Sequence, residues 1–151
     1  GALLGIRESR RIFGDYILNA EDFETRAVFP DEIGRYCYPV DLHPLSHDPK
    51  EFTRFDEEMK RMRYDQGESY GIPYRILTPR KIHNVLVAGR CVSTDRAMQG
   101  SIRVMPGCYL TGQAAGAAGA IASAEDLSVH HVPFGELKTK LFDLGAYLPN
   151  A

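Results

Sequence analysis

The stretch that most limits what this chain can fold into is Asn84 to Ala124, NVLVAGRCVSTDRAMQGSIRVMPGCYLTGQAAGAAGAIASA. It opens on an apolar run, Val85-Leu86-Val87-Ala88, that stops at Gly89. A short β-branched run bounded by glycine reads as a buried strand. A polar loop, Arg90 to Gly100, follows. Then comes a segment rich in Ala and Gly, uncharged between Arg103 and Glu125. Pro106 suits the first turn of a helix, where its missing N–H removes no hydrogen bond. The stretch therefore predicts strand, loop and helix, with the helix starting just past Gly100-Ser101-Ile102-Arg103 and running from about Met105.

Gly107, Gly112, Gly116 and Gly119 each weaken such a helix by about 1 kcal/mol relative to Ala. Their presence predicts a close neighbour: a strand, another helix or a flat ligand. The helix N-terminus carries free backbone N–H groups and the positive end of a dipole. At the end of a buried strand, such a terminus suits an anionic or electron-rich cofactor.

Three segments in order carry a resemblance. They are Asn84-Val85-Leu86-Val87-Ala88-Gly89-Arg90-Cys91, Gly100-Ser101-Ile102-Arg103-Val104-Met105-Pro106 and Gly112-Gln113-Ala114-Ala115-Gly116. Together they resemble the C-terminal part of the FAD-dependent oxidoreductases with a glutathione-reductase-like fold. Within that superfamily the chain is most similar to the bacterial group known simply as FAD-dependent oxidoreductases. Arg7-Glu8-Ser9-Arg10-Arg11, Tyr38-Pro39-Val40-Asp41-Leu42-His43 and Ile72-Pro73-Tyr74-Arg75 also resemble that group. The likeness covers most of the chain and is weakest over 44–68 and after 125.

The resemblance implies FAD as cofactor and assigns positions to it. The turn at Gly89, Arg90 and Cys91 would pass the ribityl or pyrophosphate part. The backbone of Ser101, Ile102, Arg103 and Val104 would face the pyrimidine end of the isoalloxazine. The helix from Met105 and Pro106 would aim its dipole at the flavin N1/C2=O region. Many relatives in the wider superfamily carry an acidic residue after the glycine, to bind a ribityl hydroxyl. Here Arg90 stands there, so its backbone is the expected contact. The family's G-x-G-x-x-G loop, which grips the ADP half, is not in this sequence. The resemblance thus implies a C-terminal fragment of a longer flavoprotein. The fold class expected is α/β (an α+β fragment): a partial substrate domain over 1–82, the C-terminal strand, loop and helix of a Rossmann-like FAD domain over 83–124, and a closing loop and packing helix over 125–151.

Composition narrows the alternatives. A formal net charge of −2, with no run of basic residues longer than two, gives no case for nucleic acid or an anionic membrane surface. Tyr109 to Ala124 is uncharged but too short and too rich in Gly, Ala, Gln, Ser and Thr to span a bilayer. Cys37, Cys91 and Cys108 have no C-x-x-C spacing, which argues against a disulfide framework or a zinc site. His130-His131 is a poor metal pair, because adjacent histidines do not readily face one site.

The remaining segments take their order from the chain. Ile12 to Leu18 reads as a strand or strand edge. Asn19 suits the N-cap of a short helix over Ala20 to Arg26, with Glu21, Asp22 and Glu24 in its first turn. Pro30-Asp31-Glu32 starts a turn or short helix, and Tyr36 to Leu42 reads as a strand ending at His43-Pro44. Phe52, Phe55, Met59 and Met62 recur at helical spacing, a core-facing stripe. Tyr70 to Leu77 reads as an edge or bulged strand because of Pro73. Phe134, Leu137, Leu141 and Leu144 mark a closing helix capped by Gly145.

Two readings stand for the arginines. Arg7 and Arg10 either form a solvated face paired with Glu8 and Asp15, or face the flavin cleft as the resemblance implies. His43 is either a hydrogen-bonded loop residue or a group that meets substrate and moves a proton. As a flavoenzyme, the parent protein would transfer hydride between a small organic substrate and flavin N5. His43, Arg7, Arg10 and Arg103 would then line the substrate side, since arginine suits planar carboxylates. No Ser-His-Asp order or paired carboxylates support hydrolase chemistry. The rival is a non-enzymatic interaction domain whose Gly/Ala helix packs on a partner. A third reading concerns the isolated chain alone: inactive, and paired as a homodimer through an exposed apolar face.

Overall fold

The computed structural model describes residues 8, 10–42 and 48–149. Its centre is α4, Met105–Ala124, which follows the helices and strands α1 (Ala20–Glu24), β1 (Glu32–Tyr36), α2 (Pro49–Arg61), β2 (Tyr70–Pro73) and α3 (Arg96–Ile102). One further helix, α5 (Phe134–Asp143), closes the described chain. Short 3-10 turns lie at Tyr74–Ile76, Gly89–Cys91 and Val129–His131. Among the described residues the architecture is mixed: several helices around one small sheet.

Pro106 stands in the first turn of α4, as its locked φ favours. The helix buries Gly107, Thr111, Ala114, Ala117, Ala118, Ile121 and Ala122. These positions recur every three or four residues and form one stripe. Small side chains there let neighbours come close. Leu137 and Leu141 of α5 are buried in the same core. On β1, a Cβ added at Gly34 would lie 2.5 Å from Leu110 of α4.

The glycines of α4 divide into two kinds. Gly107 is sterically required, because a Cβ there would collide with the carbonyl oxygen of Ile102, the last residue of α3. Gly112 and Gly116 have nothing within 4 Å of a built Cβ. Gly119 meets only Leu86, at 4.0 Å. The expected close neighbour is thus present at one end of the helix. Further along, Gly116 and Gly119 line a cleft of about 610 Å³ whose other wall includes Asn84 and Leu86.

The sheet has two antiparallel strands, with Arg35 opposite Gly71, Tyr36 opposite Tyr70 and a bulge between Glu32 and Gly34. Ile33, Tyr70 and Ile72 from it enter the core. Phe23 of α1 stacks on Tyr64 with ring centres 4.1 Å apart, and Tyr36 meets Tyr70 edge-on. Apolar burial on this scale is the main term holding the fold.

Several expected strands are shorter or absent. The strand expected over Tyr36 to Leu42 ends where it was to begin, because its partner β2 is four residues long and supplies no further ladder. β2 itself turns into a 3-10 helix after Pro73. Val85 to Ala88 forms no strand. Its Val87 N–H bonds the Leu77 carbonyl at 2.8 Å, and no strand among the described residues pairs with it. Ile12 to Leu18 makes only isolated bridges, Gly14 to Pro79 and Leu18 to Thr94. The polar loop over Arg90 to Gly100 contains α3.

Helix starts follow their caps. Asn19 and Asp22 form a complete capping box on α1. Asp48 caps α2, with Pro49 in the first turn. Asp95 caps α3 through the Met98 N–H at 2.8 Å, and its other oxygen accepts the Ala20 N–H of α1 at 2.9 Å. One carboxylate thus satisfies two helix ends. Gly145, at φ +80°, follows α5 in the left-handed conformation expected of its cap.

Replacing Gly107 by Ala forces α3 and α4 apart at their junction. We expect Gly107→Ala to destabilise the fold by about 1–3 kcal/mol, the usual range for overpacking. Gly112→Ala, at an open helical position, stabilises it by about 1 kcal/mol. Urea unfolding of the two variants beside the unmodified chain checks both signs.

Candidate functional site

The turn Gly89–Cys91 is built on a left-handed residue, Gly89 at φ +72°. Space is not what selects glycine here, since a Cβ would lie 3.7 Å from Cys108 Sγ. The backbone angle selects it. The Gly89 N–H donates to Thr111 Oγ1 of α4 at 2.9 Å. Gln99 of α3 donates to the Arg90 carbonyl at 2.9 Å. Arg90 Nε in turn donates to the Arg103 carbonyl at 3.1 Å. The turn is therefore fastened to both helices and to the residue that joins them.

Arg103 occupies that joint. It is buried, and its guanidinium donates to the carbonyl of Asp41 at 2.8 Å and to the Asp41 carboxylate at 3.1 Å. Gly100 of α3 packs on the same 41–42 segment. After Arg103 the chain turns at Val104 and enters α4. Val104 offers no side-chain cap, and no acidic residue stands in the first turn of α4. By position, the Met105 and Gly107 N–H groups have no acceptor within the helix. The Tyr36 hydroxyl is buried beside the Gly107 N–H. Burial pushes its pKa up to about 12, against the pull of that N–H, so the hydroxyl stays neutral. Burial likewise raises the pKa of Cys108, only partly offset by Arg90, so this thiol is not an activated nucleophile.

The sequence-derived positions fall into four groups. Gly89, Arg90 and Cys91 meet Arg103, Val104, Met105 and Pro106 at one end of α4, and Arg90, Cys91, Met105 and Pro106 are exposed there. Ser101 and Ile102 lie beneath this surface with buried side chains. The Ser101 hydroxyl donates to the Tyr38 carbonyl at 2.6 Å and meets the Tyr70 hydroxyl at 2.9 Å. Arg10 is exposed, two residues from Ile12, whose N–H donates to the Cys91 carbonyl at 3.0 Å. That bond brings the arginine segment alongside the turn. Arg7 and His43 lie outside the described residues. Sequence reasoning did not single out Thr111 or Gln99. A polar signal existed for each, one hydroxyl in an apolar helix face and one amide among small residues, but its partner is distant in sequence.

A family model described as FAD dependent oxidoreductase matches residues 1–141. The chain belongs to this family. No curated protein and no solved structure matches it. The family is one of flavoproteins, and its cofactor is FAD. The residues present suit such a group on structural grounds: an uncapped helix N-terminus, a glycine turn held rigidly beside it, and an exposed arginine on that turn. Helix N-termini and arginine both favour anionic or electron-rich ligands.

The histidine pair has a different place in this flavoprotein. His130 Nδ1 contacts the Asp15 carboxylate at 2.5 Å, and its Nε2 contacts the Ile82 carbonyl at 3.0 Å. Both partners accept, so the two contacts together favour the doubly protonated, cationic ring. Lys81, His83 and His131 complete the surrounding cavity of about 450 Å³, and the His83 ring stands edge-on to His130 at 5.4 Å. No group of metal-ligand residues able to hold an ion is found among the described residues.

Partial desolvation pulls the His130 pKa down, but the bonds to Asp15 and Ile82 and the Asp15 charge outweigh it, and the value rises above 6.5. A raised folded-state value means the clasp contributes fully below pH 6.5 and is lost as pH climbs through the folded value. Unfolding free energy is therefore expected to fall between mildly acidic and mildly alkaline pH. His130→Gln should flatten that slope, as denaturant titrations at a series of pH values would reveal.

Proposed function

We propose that this chain supplies one face of the flavin site of an FAD-dependent oxidoreductase acting on a small organic substrate. The observation that carries the reading is the convergence of the Gly89–Cys91 turn and the uncapped start of α4 on one exposed surface. The FAD, when bound, supplies the redox chemistry: hydride passes between substrate and the flavin N5.

The chain's own residues bind and orient. The backbone at Gly89, Arg90 and Cys91 receives the cofactor, with Arg90 Nε already engaged by Arg103. The first turn of α4 offers N–H groups and the positive dipole end, which favours negative charge on a group facing it by about 0.3–1 kcal/mol. Arg103 acts through its main chain, since Asp41 holds its guanidinium. Arg10 is assigned to the substrate side, and so are Arg7 and His43, which lie outside the described residues. An arginine there suits a substrate bearing a carboxylate.

The rival class, an interaction domain with a packing helix, draws on the open face at Gly112 and Gly116. FAD uptake separates the two. The flavin reading expects visible flavin absorption to remain with the full-length protein after gel filtration; a colourless full-length protein whose melting temperature ignores excess FAD would leave the interaction domain standing. Within the flavin reading, Gly89→Val strains the left-handed turn and is expected to weaken FAD binding about tenfold. Gly145→Val carries similar strain at φ +80° at the end of α5 and should leave flavin affinity unchanged. Flavin fluorescence titrations measure both.

A further inference from the structure

Two buried polar side chains under the Gly89–Cys91 turn do not reach its exposed face. Thr111 is fully buried in α4. Its hydroxyl donates back to the Gly107 carbonyl at 2.8 Å, which leaves a lone pair for the Gly89 N–H at 2.9 Å. Gln99 is 1% exposed and donates to the Arg90 carbonyl at 2.9 Å. The two bonds hold opposite ends of the Gly89–Arg90 pair, on either side of its left-handed angle. Each is partly shielded from water and made by a buried side chain, so losing it removes an anchor from the turn and frees it to adopt other angles.

We propose that Thr111 and Gln99 are positioning residues for the flavin site. They fix the backbone of Gly89, Arg90 and Cys91 in the conformation that FAD meets, and act through that turn without touching the cofactor. The inference rests on the assignment of the turn to the flavin.

The test uses Thr111→Val, Thr111→Ser and Gln99→Leu, with two readouts. One needs no flavin: amide hydrogen exchange over 89–92, compared with β2 as an internal reference. The other is the dissociation constant for FAD. Thr111→Val and Gln99→Leu are expected to speed exchange over 89–92 about tenfold relative to β2 and to weaken FAD about tenfold. Thr111→Ser, which keeps the hydroxyl, should return both to within about twofold of the unmodified protein. Exchange that rises equally in β2, or a Ser variant as impaired as the Val variant, overturns the positioning role and leaves the flavin assignment intact. Faster local exchange with unchanged FAD affinity also overturns it. An unmodified full-length protein that takes up no FAD overturns the flavin assignment itself, and the inference with it.

Discussion

The contact between Gly107 and the Ile102 carbonyl governs the rest of the site. Without a side chain at Gly107, α3 can end directly against the first turn of α4. That approach leaves only Arg103 and Val104 to reverse the chain. The reversal puts the Arg103 carbonyl within reach of Arg90 and the Arg103 guanidinium within reach of Asp41. It also leaves the α4 N-terminus without a capping side chain. An uncapped helix end, a joined turn and a buried arginine are therefore one arrangement with one steric origin.

A fold with so little sheet must satisfy its loops in other ways, and it does so with carboxylates. Asp95 serves α1 and α3 at once. Asp22 accepts the Asn19 N–H and the Tyr16 hydroxyl. Asp31 takes the Arg75 N–H, Nε and Nη2. Asp95 and Asp31 hold segments far apart in the chain, Asp22 ties neighbouring ones, and each is at least partly shielded, where hydrogen bonds to charged groups are worth about 1.5–3 kcal/mol. These links do for the 11–31 and 74–95 segments what a ladder does for strands.

The legible parts of the sequence were those decided locally. Asn19 announced α1, the Phe55–Met59–Met62 spacing announced α2, Pro106 announced α4 and Gly145 announced the end of α5. Strands are not legible in this way, because pairing is a property of two segments. Val85 to Ala88 has strand chemistry but lacks a ladder partner among the described residues. The site divides in the same way. Gly89 to Cys91 and Arg103 to Pro106 are visible as motifs, and the structure brings them together. Thr111 and Gln99 are not visible, because a buried hydroxyl or amide gains meaning only from a partner found by folding.

The charges around the turn bear on what it can hold. Arg103 is paired with Asp41, so its charge is largely balanced. Arg90 has no ion-pair partner among the described residues and is exposed. The α4 N-terminus beside it adds roughly half a positive charge, with no acidic residue in its first turn to offset it. The surface at this end of α4 is thus locally positive on a chain whose formal net charge is −2. A neutral, apolar partner helix would have to bury this charge and the uncapped Met105 N–H unpaired, which is costly. An electron-rich or anionic group satisfies both at once. In the proposed reading that end of α4 therefore suits a flavin through the backbone and Arg90 rather than through an acidic residue after the glycine, and the open face at Gly112 and Gly116 lies apart from it.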